Sequence, residues 1–550
     1  MTRGEDYMSA DVASGSSPTS GQGAPLFARA SSGLVRELTL VDIAWYGIFA
    51  TGGLFAYVFL FPGPQYASPG ISIPLMLVFT LLLGVFVYFV YAALGSAMPR
   101  AGGDYLYESR TLHPLIGFTV PWACQLVFWL AFPASGAYVV TTFGLVPIFH
   151  AFGASGIEAW LLTKTGTFVV SAVVVIACWL LTVFGLRVYR PLQRYVLVPA
   201  IVLATLTIIG LLLANLGTNF AHKFNAYHAG TGITAASVIA AAGKHGFRSS
   251  SFNLGHTLLW VAVLAAYIPY SMYSAQGLLG EVKQAGSLQR LFTAFLIPGA
   301  VVALVMLALP FLLLTSIVGG TFMDQYAYAV GSGAITPGYS PNFSVFLSML
   351  SQSKIITVLI GLGFISGGFG IANVVFANSS RVMMAMSLDG SLPKIFSEVS
   401  PRFHSPIKAT TLWSLLALAV AAAFAYKPSW ETTVLIGGAI TSVLVVGVTC
   451  LGGALFPYRS RQIFDSAPAA RYRLGSVPLV TIAGFIGAAS VAALIYVAVT
   501  VPALGITSPG SRIAIGAAFV SGLLVYFGIR AYNRSKGVDT SLAYRVVPPE

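Results

Sequence analysis

The strongest constraint on the fold is a series of long apolar segments. Twelve stretches of the 550-residue chain are long enough to cross about 30 Å of hydrocarbon as helices. Only 8% of the residues are charged, against roughly a quarter in soluble proteins. The sequence therefore predicts an all-α integral membrane protein with about twelve transmembrane helices. The predicted spans are 38–60, 73–97, 115–148, 166–186, 191–216, 256–279, 289–317, 353–380, 407–426, 432–457, 476–500 and 511–532.

Basic residues are distributed unevenly between the loops. Of the 29 Lys and Arg residues, 22 lie in the two tails, in the loops that follow even-numbered spans or at the span ends beside them. Because cytoplasmic loops retain positive charge, both termini are predicted to be cytoplasmic in a multi-pass protein of the cell membrane. Anionic membrane lipid beside these loops accounts for the net charge of +13, so nucleic acid is not expected as a partner.

The first span is interrupted in its middle by Ala50, Thr51, Gly52 and Gly53. A membrane helix tolerates a break only where the freed backbone groups face protein or a wet cavity. Two adjacent glycines can unwind the backbone and present N–H groups at the positive end of a half-helix, where an anionic group binds. The alternative interpretation is close helix packing, for which membrane helices also use glycine.

Charge is absent from the middles of the spans. The acidic residues nearest to them, Glu37, Asp42, Glu281 and Glu431, fall at span ends. A buried cationic solute needs a compensating negative charge, so cationic substrates are disfavoured. The sequence contains no nucleotide-binding loop, zinc-protease motif or nucleophile elbow, and its three cysteines have no metal-type spacing. The chain is therefore predicted to be neither an enzyme nor a holder of a cofactor or metal.

Three short motifs follow spans 2, 6 and 8. Their sequences are MPRAGGDY at 98–105, GEVK at 280–283 and RVMMAMSLDGSLP at 381–393. Together they resemble motifs of the amino acid-polyamine-organocation (APC) family of permeases. Their charged residues are predicted to pair across the cytoplasmic mouth and form a gate. These residues are Arg100, Asp104, Glu281, Lys283, Arg381 and Asp389.

The resemblance implies a LeuT-like fold, in which spans 1–5 and 6–10 form inverted repeats and two further helices follow. Helices 1 and 6 are discontinuous in such a fold, and a proline in the middle of span 6 agrees with this. Tyr267 falls where arginine/agmatine exchangers of the family place a gating aromatic residue. Tyr273 falls where they place a glutamate, which again argues against a cationic substrate. The substrate-binding residues predicted in span 6 are Tyr267, Ile268, Pro269, Tyr270, Ser271 and Tyr273.

The resemblance also suggests a pocket in span 3 and an ion site in span 8. Phe128, Ala131 and Phe132 would form an apolar pocket for a side chain, although aromatic residues at helical spacing are also typical of an ordinary core. The resemblance also allows coupling to H⁺ or Na⁺. Span 5 lacks the lysine of proton-linked relatives, and Ser366 offers one hydroxyl where sodium-linked relatives use several, with simple packing as the alternative.

The predicted organisation follows from the spans and the implied repeats. It comprises a disordered cytoplasmic tail at 1–34, a first repeat at 35–216, an extracytoplasmic loop at 217–255, a second repeat at 256–457, spans 11 and 12 within 458–532, and a cytoplasmic tail at 533–550.

The sequence thus predicts a secondary active transporter of amino acids, with neutral or apolar ones favoured, that works by alternating access. In this hypothesis the backbone of Thr51, Gly52 and Gly53 binds the substrate carboxylate, and carbonyl groups of 267–270 accept hydrogen bonds from its ammonium. Two alternatives remain. The same fold would carry another small organic or inorganic solute, or the protein would be a membrane receptor or subunit that transports nothing.

Overall fold

The computed structural model describes residues 33–248, 251–264, 271–273, 277–337, 339, 341–500 and 508–544. Within these ranges, eleven helices are long and apolar enough to cross a membrane. We number them by the predicted spans and keep number 6 for the segment 256–279. They are span 1 (Leu40–Leu60), 2 (Ile73–Ala97), 3 (Pro114–Ala151), 4 (Lys164–Val183), 5 (Leu186–Ala214), 7 (Leu288–Val318), 8 (Lys354–Leu388), 9 (Ile407–Tyr426), 10 (Gly438–Arg459), 11 (Leu479–Thr500) and 12 (Pro509–Ser535).

Each of these eleven helices overlaps a predicted span, which confirms the all-α membrane architecture. The helix Leu254–Leu264 covers the start of predicted span 6, and the rest of that segment includes residues outside the described ranges. Span 8 is longer than predicted. It continues from 380 to Leu388 because residues 371–388 contain neither glycine nor proline, and Gly390, with a φ of 73°, follows its end.

Shorter elements connect the spans. We call the helix Gly103–Thr111, between spans 2 and 3, the loop helix. The other short helices are Gly63–Ala67, Ser155–Leu161, Phe220–Tyr227, Ala235–Lys244, Gly320–Gly331, Phe343–Leu350 and Arg461–Ser466, with 3₁₀ turns at Leu279–Glu281, Lys394–Phe396, Pro468–Arg471 and Ser541–Tyr544. Two strands, Arg473–Leu474 and Val477–Pro478, form an antiparallel hairpin.

Spans 3, 5 and 7 contain π-helical turns, which disturb the regular backbone hydrogen bonds. In a membrane interior such groups need partners from neighbouring helices, since no water is present. The hydroxyl of Ser366 donates to the carbonyl of Leu197 at 2.6 Å, and that of Tyr57 donates to the carbonyl of Met306 at 2.5 Å. Side chains of spans 8 and 1 thus satisfy carbonyls in the irregular turns. These turns are Gln125–Trp129, Val140–Leu145, Gln193–Leu197 and Val301–Ala308.

Span 8 packs closely against its neighbours because glycines line it. A Cβ atom on Gly368 would lie 2.4 Å from the carbonyl oxygen of Gly136 in span 3. A Cβ atom on Gly363 would lie 2.1 Å from that of Ala204 in span 5. Small residues allow this approach of membrane helices. Span 8 therefore lies at the centre of the bundle, with the middle of span 1 beside it.

Candidate functional site

Span 1 is broken at the predicted position. Its first helix ends at Ala50, and the chain resumes as a 3₁₀ turn at Gly53–Ala56 and a helical turn at Tyr57–Leu60. Gly52 and Gly53 have φ angles of 82° and 48°, in the left-handed region that favours glycine. The backbone conformation itself therefore accounts for the two adjacent glycines, in addition to any need for close packing.

Thr51 ends the first half of span 1. Its hydroxyl lies 2.9 Å from the carbonyl oxygen of Ile48 and 3.1 Å from that of Gly47, and its N–H donates to the same Gly47 oxygen. The hydroxyl hydrogen is thus donated to carbonyl groups at the end of the helix, which lack N–H partners within the helix. The N–H of Gly52 likewise donates to the carbonyl of Phe49 at 2.9 Å, so of the three backbone donors predicted for a carboxylate, those of Thr51 and Gly52 are already used at the helix end.

The turn after the break presents two backbone donors. Within the described residues, the N–H groups of Gly53 and Leu54 have no hydrogen-bond acceptor, whereas the N–H of Phe55 donates to the carbonyl of Gly52 at 2.7 Å. The first N–H groups of a helix have no acceptor within it, and they form the positive end of the helix dipole. Such a pair of donors suits an anionic group, such as a carboxylate or a phosphate.

Span 8 reaches the break through Gly367. A Cβ atom on Gly367 would lie 3.5 Å from the nitrogen of Phe55 and 3.6 Å from the carbonyl oxygen of Gly52, so the two backbones are close together. The neighbouring Ser366 donates its hydroxyl hydrogen to Leu197 in span 5. This bond gives Ser366 a structural part between spans 5 and 8, and a part in ion coupling stays a prediction.

The predicted pocket residues of span 3 lie beside the same turn. The ring centroid of Phe132 is 5.8 Å from that of Phe55 in span 1 and 4.5 Å from that of Phe128. Ala131 lies between them in sequence, just after the π-helical turn, and all four residues are buried. Span 3 thus contributes an aromatic, uncharged wall next to the backbone donors of span 1.

The residues predicted in span 6 are only partly described. Tyr267, Ile268, Pro269 and Tyr270 lie outside the described residues, so their substrate-binding roles stay predictions. The hydroxyl of Ser271 donates to the carbonyl of Phe295 in span 7 at 2.6 Å. The ring of Tyr273 lies 5.1 Å from that of Trp129, centroid to centroid, and so packs against span 3.

Two buried ion pairs hold together the end of the bundle at which span 1 begins. Arg381 Nε lies 2.7 Å from Glu281 Oε1, and Arg110 Nη1 lies 2.6 Å from Asp389 Oδ2. No more than 5% of any of these four side chains is exposed. We call these four residues the ion-pair network and this part of the bundle the network end.

A short backbone contact closes the same end. The N–H groups of Glu37 and Leu38 donate to the carbonyl of Glu281, at 3.0 and 2.9 Å. The N–H of Lys283 donates in turn to the carbonyl of Leu38 at 2.8 Å. The segment before span 1 is thereby tied to the segment after predicted span 6.

The structure brings half of the six predicted gate residues into the ion-pair network, namely Glu281, Arg381 and Asp389. Arg100 donates to the carbonyl of Pro99, and Lys283 has an exposed side chain that forms no ion pair within the described part of the chain. Asp104 instead accepts hydrogen bonds from hydroxyl groups of spans 2 and 10.

Arg110 was not predicted to be a member of the network. It lies seven residues beyond Gly103, close to the first motif, and the loop helix carries it to Asp389. The available signal was a charged residue next to a motif. Its partner, Asp389, is 279 residues away in sequence, so no local pattern identifies the pair. Asp42, which forms ion pairs with Arg190 and Arg194 at the network end, was missed in the same way.

The chain is similar to known proteins in sequence and in fold. The sequence profile of the family described as amino acid permease matches residues 45–522. The fold is similar to that in a crystal structure of MhsT in complex with L-phenylalanine, with a TM-score of 0.54 and 12% sequence identity, over 84% of this chain and 99% of that chain. MhsT has the LeuT fold, which confirms the predicted LeuT-like architecture. No match was found among curated proteins. Because the profile spans most of the chain, this multi-pass membrane protein belongs to the amino acid permease family.

Proposed function

We propose that the protein is a secondary active transporter that carries neutral, apolar amino acids by alternating access. The observation that carries this proposal is the break in span 1. Beside a buried aromatic wall it leaves two backbone donors, at Gly53 and Leu54, that no described residue uses. An amino acid needs a site of this kind, with a polar part for its carboxylate and an apolar part for its side chain.

The turn after the break suits the carboxylate of the substrate. Backbone N–H groups at the start of a helical segment bind an anion without a cationic side chain. Span 1 contains no Lys or Arg between Leu40 and Leu60, and span 3 contains none at all. The backbone therefore supplies the positive potential at this point of the bundle.

The aromatic wall favours an apolar side chain. Phe55, Phe128 and Phe132 offer rings, and neither span 3 nor span 8 contains an Asp or Glu that would neutralise a cationic substrate. The crystal structure of MhsT contains L-phenylalanine, an amino acid of the proposed class. The likeness in fold places no ligand in the present protein, but it supports the choice of aromatic and aliphatic amino acids for the first assays.

The closed network end supports alternating access. Four charged side chains are buried there as two pairs, and a buried pair loses much of its stabilisation to desolvation. When water enters, the separated charges regain their hydration, so the closed and open arrangements can be close in free energy. We place the network end on the cytoplasmic side of the cell membrane, because the loops there carry most of the basic residues.

Uptake into proteoliposomes tests the proposed function. A panel of labelled amino acids should show saturable, competable uptake, with neutral apolar amino acids preferred over lysine and arginine. The variant Gly53→Ala should reduce uptake by about tenfold or more, because its Cβ atom would lie 2.7 Å from Ile201 Cδ1 at a φ that only glycine adopts readily.

Gly210→Ala is the matched control, because nothing lies within 4 Å of its added methyl group. Both variants should elute as monodisperse protein before their uptake is compared. A folded Gly53→Ala variant with full uptake would contradict the proposed site. The absence of competable uptake of any amino acid, under any ion gradient, would contradict the proposed function and favour a receptor.

A further inference from the structure

Two acidic residues on the loop helix are buried together. Asp104 and Glu108 are four residues apart and therefore lie on one face of the helix. Glu108 is 0% exposed and Asp104 is 6% exposed. A carboxylate buried in this way is costly unless it is paired, hydrogen-bonded or protonated.

One hydroxyl group connects the two carboxyl groups. Thr449 Oγ1, in span 10, lies 2.9 Å from Asp104 Oδ1 and 3.0 Å from Glu108 Oε1. A threonine hydroxyl has a single hydrogen and can donate it to only one of them. The second carboxyl group must then bring a hydrogen of its own. Tyr91 also donates to Asp104 Oδ1, at 2.7 Å, which favours Asp104 as the anion and Glu108 as the acid.

Glu108 has no cationic partner in the part of the chain that the structure describes. The nearest arginine in sequence, Arg110, forms its ion pair with Asp389. Glu108 Oε2 is buried and has no hydrogen-bond partner among the described residues. The loop helix lies between spans 2 and 3, and burial there, together with the nearby Asp104, raises the pKa of Glu108 well above its ordinary value.

Among the described residues, the other titratable groups around this pair leave no cation without an acidic partner. Tyr107 belongs to the loop helix itself, and Arg110 and Asp389 neutralise one another. The remaining groups come from the neighbouring elements and carry no charge at neutral pH. They are Tyr91 of span 2, Cys124 of span 3 and Cys450 of span 10.

A small cavity adjoins Asp104 on the side of span 3. Its volume is about 10 Å³, near the lower limit for one water molecule, and Gln125, Asn378 and Trp129 contribute to its walls. The side-chain oxygens of Gln125 and Asn378 are buried and have no hydrogen-bond partner among the described residues. These acceptors suit a water molecule or a hydrated proton next to Asp104. Trp129 also contacts Tyr273, so the cavity lies next to the proposed substrate region.

We propose that Glu108 is a proton-binding site, which shares one proton with Asp104 through Thr449 and releases it when the network end opens. This inference rests on the proposed transport function, for which it supplies a site of coupling to H⁺. With the network end closed, Glu108 is shielded from water and holds its proton. When the network end opens, water hydrates the carboxylate and the proton passes to the cytoplasmic solution. The step transfers one proton from a carboxylic acid to water and needs no other reactant.

Infrared spectroscopy of the purified protein tests the proton site directly. At neutral pH the protein should show the absorption of a protonated carboxylic acid. This absorption should be absent from Glu108→Gln, whose amide can still donate to Thr449. It should persist in the control Glu398→Gln, whose glutamate is exposed and pairs with Lys408. If removing Glu108 leaves the spectrum unchanged, the proposed site is wrong.

The variant Thr449→Val provides a second test that leaves both carboxyl groups in place. Without the shared hydroxyl, the carboxylic acid absorption should disappear at a different pH than in the original protein. An unchanged titration would show that Thr449 does not link the two groups and would overturn the shared-proton arrangement.

Transport measurements separate this inference from the proposed function. A gradient of one pH unit should drive accumulation of up to about tenfold if one proton accompanies one substrate. Glu108→Gln should lose this accumulation, and exchange of labelled for unlabelled amino acid shows whether the variant still folds and binds. If the original protein exchanges amino acids but does not respond to a pH gradient, the proposed coupling is wrong and the proposed transport function remains. If no amino acid is exchanged at all, the transport function fails, and the infrared titration still decides whether Glu108 holds a proton.

Discussion

The break in span 1 and the ion-pair network both place polar groups inside an apolar bundle, but they do so in opposite ways. At the break, glycine conformation exposes backbone donors, and those of Gly53 and Leu54 are left unused among the described residues. In the network, Glu281 and Arg381 each carry a full charge and satisfy one another at 2.7 Å. Unused donors can bind a solute, whereas paired charges can stabilise one conformation. The proposed binding site and the proposed gate therefore use polar groups in opposite states.

The largest effect is expected from removing one member of a buried pair. Arg381→Met should destabilise the closed protein by about 3–5 kcal/mol, because it leaves the Glu281 carboxylate buried without its partner. The double variant Glu281→Met with Arg381→Met should recover most of this loss, since no charge remains buried. Thermal unfolding of the purified proteins checks both expectations. A double variant as unstable as the single one would show that the pair matters through something other than charge.

These two regions also differ in how well the sequence predicted them. The break within residues 50–53 was predicted, because adjacent glycines inside an apolar run are a local signal. The helical spans were predictable for the same reason. The pair of Arg110 with Asp389 was not predicted, because it joins residues that only the folded bundle brings together. Glu108 was missed because its protonation depends on burial and on a hydroxyl from span 10, neither of which is visible in a local pattern.

Adjacent glycines of span 8 should respond differently to the same added methyl group. Gly368→Ala should cost about 1–3 kcal/mol of stability, because its Cβ atom would lie 2.4 Å from the rigid carbonyl oxygen of Gly136. Gly367→Ala makes only ordinary contacts, at 3.5 Å or more, with the backbone of the break. It should fold normally and reduce amino acid uptake. Thermal unfolding and uptake, measured on both variants, check this difference, and the reverse order would mean that Gly367 is a packing residue and not part of the site.

Stability should depend on pH through Glu108. Burial raises the pKa of Glu108. The folded protein therefore keeps this proton at pH values at which an exposed glutamate has already lost its own. The folded state therefore binds more protons than the unfolded state above the ordinary pKa of glutamate, and stability falls as pH rises until the raised pKa is reached. The slope from this one group is at most about 1.4 kcal/mol per pH unit. Unfolding temperatures measured over this range should flatten in Glu108→Gln, and an unchanged slope would assign the dependence to another group.

The smallest effect is expected from an exposed ion pair at the same end of the bundle. Lys408 Nζ lies 2.5 Å from Glu398 Oε2, as close as the buried pairs, but about half of each side chain is exposed. Exposed pairs of this kind contribute about 0–1 kcal/mol, and salt screens them. Lys408→Ala should therefore shift the unfolding temperature little, and less still at high salt, whereas the shift caused by Arg381→Met should hardly respond to salt. If the two variants proved equally destabilising, burial would not be what distinguishes the ion-pair network from the rest of the charged surface.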